Sequence, residues 1–432
     1  MSSLAWLDDG SSAKLLFDFV FHYPLFMAWM WMIGGLWYYF HFERKDLADP
    51  DFEPVLKAQP KVSILVPCFN EEDNVEAVVE SLNRIQYPDF EIICINDGSK
   101  DRTGELLDGM LDRCPRLRVI HQSANQGKAV GLNTAAPLAN SEFLICIDGD
   151  AILDPHIVPW MLRHFDSPRV GAVTGNPRIR TRSTLLGKIQ VGEFSSIIGL
   201  IKRAQRSYGR VFTVSGVIVA FRRSALHEVG YWSPDMLTED IDISWKLQTH
   251  GWTIHFEPRA LSWILMPETL KGLWKQRLRW SMGGLQVIFK YAPIMLSWRQ
   301  RAMWIIWLEY VVSVVWSYAM TLVLVLWALT QVAPMPSALH VGSILPAWHG
   351  VIVGTTCLLQ FVVSLMIDRR YEPNMLRYCF WMAWYPLAYW LLTMFTSVWA
   401  LPKTIFRSRG KRAVWVSPDR GLQQPAPQAP KP

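Results

Sequence analysis

The sequence predicts a cytosolic α/β domain built on a mostly parallel sheet and joined to α-helical transmembrane and interfacial segments. Three observations predict it. Apolar residues make up 51% of the 432 residues and gather towards the two ends. The middle alternates short apolar runs with helix-period patterns. Three of those runs end in acidic residues, where a parallel sheet presents its ligand site.

The membrane segments follow from length. Leu15 to Phe42 is long enough to cross a hydrocarbon core of ~30 Å at ~1.5 Å per residue, with only Asp18 and His22 interrupting its start. No basic region precedes it and no small-residue cleavage site follows, so it is not a removable signal. Further spans are expected at about 303–332 and 344–367. A fourth apolar stretch, 378–401, contains Pro386 and is too short to cross twice, so a re-entrant or interfacial course stays open.

Charge orients these segments. The formal charge is +6, but Lys403, Arg407, Arg409, Lys411, Arg412, Arg420 and Lys431 in the tail face only Asp419, which leaves the rest neutral. A basic cluster just after a membrane stretch reads as an orientation signal, not as a nucleic-acid face. With Arg44 and Lys45 after the first span and no Lys or Arg between Gln331 and Leu345, residues from about 43 to 300 are expected in the cytosol. A full crossing at 378–401 would put the basic tail outside, a conflict the sequence leaves open. Cys68, Cys94, Cys114, Cys146, Cys357 and Cys379 form no zinc-type spacing and are expected as free thiols.

The middle has a βαβ rhythm. Val62–Val66 is followed by Val75, Val78, Val79, Leu82 and Ile85 at helix spacing, then by Ile92–Ile95, Leu117–His121, a helix from Lys128 to Leu138, and Phe143–Ile147. At the strand ends stand Asn70-Glu71-Glu72, Asp97-Gly98 and Asp148-Gly149-Asp150. One Asp-Gly is ordinary turn chemistry. Asp148 and Asp150, two apart beyond a buried strand, would aim at one hard cation, and carboxylates completed by phosphate oxygens are the usual Mg2+ arrangement.

Asp97, Asp148-Gly149-Asp150, Thr238-Glu239-Asp240 and Gln276-Arg277-Leu278-Arg279-Trp280, in this order, resemble the processive inverting family 2 glycosyltransferases, the superfamily of cellulose, chitin and hyaluronan synthases. The likeness covers about residues 20–420. Thr174–Ser183 and Gly192–Ser196 are more particularly similar to the bacterial synthases of poly-β-1,6-N-acetylglucosamine. The resemblance implies a GT-A-like domain at 46–265 after a membrane segment at 1–45. Interfacial helices at 266–300, membrane helices at 301–401, and a basic, then Pro-rich tail at 402–432 would follow.

It also implies a chemistry: an acceptor hydroxyl displaces UDP from a UDP-sugar, expected to be UDP-N-acetylglucosamine, in the bacterial inner membrane. Asp148 and Asp150 would hold Mg2+ or Mn2+, and Asp97, with Glu71, would lie at the nucleotide. Asp240 is the candidate base, steadied by N–H groups at a helix start; an N-cap by Thr238 is the plainer alternative. Gln276, Arg279 and Trp280 share one helix face, offering an amide, a phosphate partner and a flat platform for the acceptor sugar; an amphipathic interfacial helix would show the same pattern.

Ser215 and Gly216, with Glu239, are expected beside the acceptor, although Gly216 is equally readable as a plain strand glycine. Lys128 is expected near the donor, and Arg420 over UDP if the tail is cytosolic. Implied partners are the growing polysaccharide, membrane lipid, a small membrane subunit, and cyclic di-GMP at a shared surface. The rival readings are another synthase of the superfamily, transfer of single sugars to a lipid phosphate, and a catalytically silent membrane scaffold.

Overall fold

The computed structural model describes residues 11–44, 54–336, 339–341, 347–372, 385–408 and 410–414. In chain order the elements are α1 (Ser11–Tyr38, extended by a π turn at Tyr39–Glu43), β1 (Val62–Cys68), α2 (Val75–Asn83), β2 (Phe90–Asp97), α3 (Thr103–Gly109) and β3 (Leu117–Gln122). Then come α4 (Lys128–Ala135), β4 (Phe143–Ile147), β5 (Ile152–Leu153), α5 (Ile157–Leu162), β6 (Val170–Ile179), α6 (Leu185–Glu193) and α7 (Leu200–Ser207). β7 (Ile218–Arg222), α8 (Arg223–Glu228), α9 (Glu239–Thr249), β8 (Thr253–Ile264), α10 (Leu270–Met295), α11 (Trp304–Val332), α12 (Ala347–Asp368) and α13 (Tyr385–Ile405) complete it.

The eight strands form one sheet in the order β3-β2-β1-β4-β7-β6-β8-β5. β1 pairs in parallel with β2 and β4, and β2 with β3. Alternate residues of these strands feed opposite layers. Ile64, Val66, Ile92, Cys94, Ile145 and Ile147 enter the core under α2 and α5, whereas Leu65, Ile93, Ile95, Leu144 and Cys146 meet Leu132 of α4 and Leu247 of α9. Burial on both faces is why these runs read as continuous apolar stretches. Since β2, β1 and β4 run the same way, Asp97, Cys68 and the residues after Ile147 reach one rim. The other half departs from the simple βαβ expectation: β7 is antiparallel to β4 and β6, and β5 to β8.

Among the described residues, three helices are long and apolar enough to cross a membrane: Lys14–Glu43, Trp298–Val332 and Gly350–Asp368. Their outward faces carry exposed Phe26 and Ile33, Leu308 and Leu322, and Val351 and Leu358, the surface that lipid demands. α13 packs beside α10 and α11, with Ser281 Oγ at 3.3 Å from Thr396 Oγ1 and Tyr318 O–H donating to the Val398 carbonyl at 2.9 Å. The chain on either side of α13 touches the sheet domain. Arg182 donates twice to Glu372 (2.8 and 2.7 Å), and the Ala413 N–H donates to the Pro234 carbonyl at 2.9 Å.

The joint between membrane helices and sheet is α7. A Cβ on Gly34 would meet Ala204 at 2.9 Å, and one on Gly35 would meet Leu200 at 2.4 Å, so two glycines of α1 admit α7 at close range. Between those contacts the fully buried Arg203 binds Glu43, at the end of the first span, and Asp368, at the end of α12, at 3.1 Å. Asp368 also accepts from Arg178 of β6 at 2.6 Å and from Ser195 at 2.5 Å. Cys68, Cys94, Cys114, Cys146 and Cys357 are free thiols; Cys379 lies outside the described residues.

Removing one member of a buried ion cluster strands the others without compensation. Asp368→Asn is therefore expected to destabilise the protein by roughly 3–5 kcal/mol, read as a lower Tm in detergent. Lys57→Gln, which breaks an exposed pair with Asp166, should leave Tm nearly unchanged.

Candidate active site

Lys128, at the start of α4, organises the rim. Its ammonium donates to Asp148 Oδ1 at 2.5 Å and to the Gly216 carbonyl at 3.0 Å, and lies 3.2 Å from Glu239 Oε1. Burial alone would lower the lysine's pKa, but Asp148 and Glu239 outweigh it and raise the value. The sequence placed Lys128 near the nucleotide; the structure makes it the hub that ties β4, α4, α9 and the turn at Gly216 together.

Asp97 closes β2 and is fully buried. Its two oxygens accept from the Gln126 and Gly127 N–H groups, both at 2.8 Å, and burial raises its pKa against those bonds. It thereby fixes the loop that delivers Lys128. Gly127 has φ +94°, and a Cβ there would lie 2.1 Å from the Ala413 carbonyl, so the tail segment rests directly on this loop. Arg412 adds a contact to Gln126 at 3.3 Å. Arg420 lies outside the described residues.

Beyond β4, Asp150 is buried, and its carboxyl is pushed up to about 7 by burial and then by the charge of Asp148, with Arg180 opposing. Glu71 is also fully buried. It accepts from Asn74 at 3.1 Å, and its Cγ would stand 3.1 Å from a Cβ on Gly149, so it packs against the Asp148–Asp150 turn. Among the described residues, no three Asp, Glu, His or Cys side chains converge as a complete metal cage.

Glu239 and Asp240 open α9. The Thr238 side chain makes no capping bond, and its buried Oγ1 has no hydrogen-bond partner among the described residues, so the plain N-cap alternative does not hold. The Ile241 N–H instead donates to Asp240 Oδ1 at 2.9 Å. Burial and then the Glu239 charge raise the Asp240 carboxyl to about 6. Glu239 goes the other way: burial raises it, but Lys128 prevails and the net shift is down. A Cβ on Gly216 would stand 3.2 Å from both Asp240 Oδ2 and Lys128 Nζ, which sets these three groups side by side. Ser215 bridges to Ile218 in a tight turn.

α10 supplies the next wall. A Cβ on Gly283 would fall 2.0 Å from Thr238 Oγ1, so the helix presses on the start of α9. Arg279 is exposed, reaches towards the Leu237 carbonyl at 3.5 Å, and lowers the pKa of both Glu239 and Asp240. Gln276 has a long contact to Met266 Sδ (3.8 Å), and its buried Oε1 has no hydrogen-bond partner among the described residues. Trp280 is half-buried, with the Arg277 guanidinium 4.1 Å from its ring centroid, so it does not stand as an open plate.

Two residues escaped the sequence reading. Arg277 pairs with Glu193 of α6 at 2.7 Å and anchors α10. Lys202 of α7, only 5% exposed, reaches Ser215 Oγ at 2.5 Å and Thr174 Oγ1 at 3.1 Å. Its signal was weak, since a lysine in Leu200–Ser207 reads as a solvated helix face.

A methyl group on Gly283 must push α10 and α9 apart. Gly283→Ala is expected to cost about 1–3 kcal/mol, seen as a lower Tm. Thr238→Ala alone should change little, and combining it with Gly283→Ala should recover part of the loss.

Residues 60–283 match the family described as "Glycosyltransferase like family 2". The chain is 37% identical over 411 residues to a poly-beta-1,6-N-acetyl-D-glucosamine synthase of Staphylococcus epidermidis, covering 94% of this chain and 98% of the relative. The synthase of the same name from Staphylococcus aureus is 37% identical over 409 residues, covering 94% and 99%. A mannosyltransferase of Pyrobaculum calidifontis, solved with GDP-Man and Mn2+, superposes with a TM-score of 0.61 at 19% identity, covering 91% of this chain and 99% of its own. That last likeness concerns the fold.

Proposed function

From the premise that the chain belongs to glycosyltransferase-like family 2, we propose that it polymerises N-acetylglucosamine from UDP-N-acetylglucosamine into a β-1,6-linked polysaccharide by an inverting, processive reaction. The name and near-complete coverage of the staphylococcal relatives support the product. The observation that carries the reading is the convergence of Asp148, Glu239, Asp240 and the Gly216 turn around Lys128, at the sheet rim beside α10.

In the proposed step the acceptor hydroxyl oxygen bonds to the anomeric carbon, the bond from that carbon to UDP breaks on the opposite face, and the hydroxyl proton passes to the Asp240 carboxylate. Asp240 suits that task because burial and Glu239 hold it near neutrality, where a base is both unprotonated and able to take a proton. Arg279 is available to phosphate oxygens from its exposed position. Gln276, whose amide oxygen has no partner among the described residues, offers an acceptor for a sugar hydroxyl. Ser215, Gly216 and Glu239 line the acceptor side, and Trp280 contributes an edge of its ring.

Asp148 and Asp150 fit a divalent cation. Buried Asp150 is raised by burial and then by the charge of Asp148, whose Oδ1 Lys128 already pairs; a cation would lower the repulsion between the two acids, and a diphosphate would supply the remaining oxygens. Mg2+ or Mn2+ held there would neutralise the leaving diphosphate as a Lewis acid. Asp97 serves the nucleotide side by fixing the loop at Gln126 and Gly127, and Glu71 supports the Asp148–Asp150 turn. Arg420 belongs to the same proposal through the tail, whose last described residues lie against that loop.

Glu372 and Ala413 both touch the sheet domain. This supports a cytosolic tail, on the same side of the bacterial inner membrane as the sheet domain. A small membrane subunit and cyclic di-GMP remain partners expected from the family resemblance.

Purified protein given UDP-N-acetylglucosamine should release UDP and make long β-1,6-linked chains. Single-sugar lipid products would favour the lipid-phosphate alternative, and absence of UDP release the silent scaffold. Asp240→Asn should bind donor normally but lose polymerisation by at least about a hundredfold. A base must be unprotonated, so wild-type turnover should be full above the Asp240 pKa and fall as pH drops through about 6. Chelation should abolish activity and Mg2+ or Mn2+ restore it, while Asp150→Asn should raise the metal concentration needed.

A further inference from the structure

α7 is almost wholly committed to the membrane joint. Leu200 and Ala204 fill the glycine notches of α1, Arg203 clasps Glu43 and Asp368, and Gln205 donates to Glu309 of α11 at 3.2 Å. Arg206 reaches His255 of β8 at 2.7 Å, and Lys202 faces the rim. Its ammonium donates to Thr174 Oγ1 at 3.1 Å and to Ser215 Oγ at 2.5 Å, and the Ser215 N–H donates to the same Thr174 Oγ1 at 2.8 Å. The three groups form a closed ring that holds both the main chain and the hydroxyl of Ser215.

The turn is thus held from two sides. On one, Lys128 donates to the Gly216 carbonyl and is neutralised by Asp148 and Glu239. On the other, Lys202 makes no ion pair within the described residues; Asp240 acts on it only through space, and burial lowers its pKa to about 7. A buried ammonium without a contacting carboxylate is costly, and an apolar side chain would fill the same space at less cost. Filling space is therefore a poor reason for a lysine here. What only a flexible donor can do is fix Ser215 to β6 and α7 together.

We propose that Lys202 is a positioning residue for the acceptor: it sets the Ser215–Gly216 turn, and with it the distance of the acceptor hydroxyl from Asp240, relative to the helix that rides on the first membrane span. The inference rests on the reading of Asp240 as base and of this turn as the acceptor side. It predicts a larger effect on the acceptor than on the donor, because Lys202 bonds Thr174 and Ser215, whereas Asp97 is held by the Gln126 and Gly127 N–H groups and Asp148 by Lys128.

The test compares full-length wild type, Lys202→Met, Lys202→Arg and Ser215→Ala in detergent, with UDP-N-acetylglucosamine and a short β-1,6-linked N-acetylglucosamine oligosaccharide. Losing a charge-assisted bond should raise the acceptor KM about tenfold and shorten the product, with the donor KM changing less than about twofold. Lys202→Arg should recover most of the loss. Ser215→Ala should act in the same direction and add little on top of Lys202→Met, and it decides the matter if Lys202→Met does not fold. Unchanged acceptor KM and product length, or donor and acceptor KM rising together, would overturn the proposal. A wild type that makes no polymer would instead overturn the functional reading itself.

Discussion

The Arg203 guanidinium is the interaction on which the rest is built. It is fully buried, yet it binds Glu43 at the end of one span and Asp368 at the end of another, and Asp368 in turn holds Arg178 of the central sheet. Such a cluster is weak evidence of extra stability, but every member becomes a liability when its partners move. Only one arrangement of α1, α12, α7 and β6 satisfies all four charges. The membrane helices and the sheet are consequently positioned as one body, and α7 is the element common to both.

The rim follows a related logic with a different cation. Lys128 collects Asp148 and Glu239 and leaves two other carboxyls, Asp150 and Asp240, raised to about 7 and about 6 by burial and by their acidic neighbours. One side chain thus divides four acids into two roles. Asp148 and Glu239 are tied directly to it, and Asp150 and Asp240 stay raised although its charge lowers both. That division suits a reaction in which one oxygen must lose a proton while another gains negative charge.

Much of this was legible in the sequence, for identifiable reasons. β1 to β4 are buried on both faces, so their residues form unbroken apolar runs, and parallel pairing then requires that Asp97 and Asp148 share a rim. The antiparallel entry of β7 was not legible, because pairing between distant segments leaves no local periodicity. Lys202, Arg203 and Gln205 were missed for a related reason. Their stretch is polar enough to suggest a solvated face, and Glu43, Asp368 and Glu309, far away in the chain, with Ser215 in the following turn, make its burial tolerable. The alternative of a cap by Thr238 fails because α10 occupies that side, with Gly283 against its hydroxyl. The placement of Asp240 at a helix start, with a main-chain N–H on its carboxylate, was expected and is found.

The contact between Gly127 and Ala413 has a consequence for heredity. The φ of +94° at 127 and the carbonyl pressed where its Cβ would be make two distant stretches of the gene a single unit of variation. A relative with any side chain at 127 needs a differently routed ending, and a chimera that exchanges only the ending would bring a strand never fitted to its new loop. Recombination within such a lineage would keep the two stretches together or discard both.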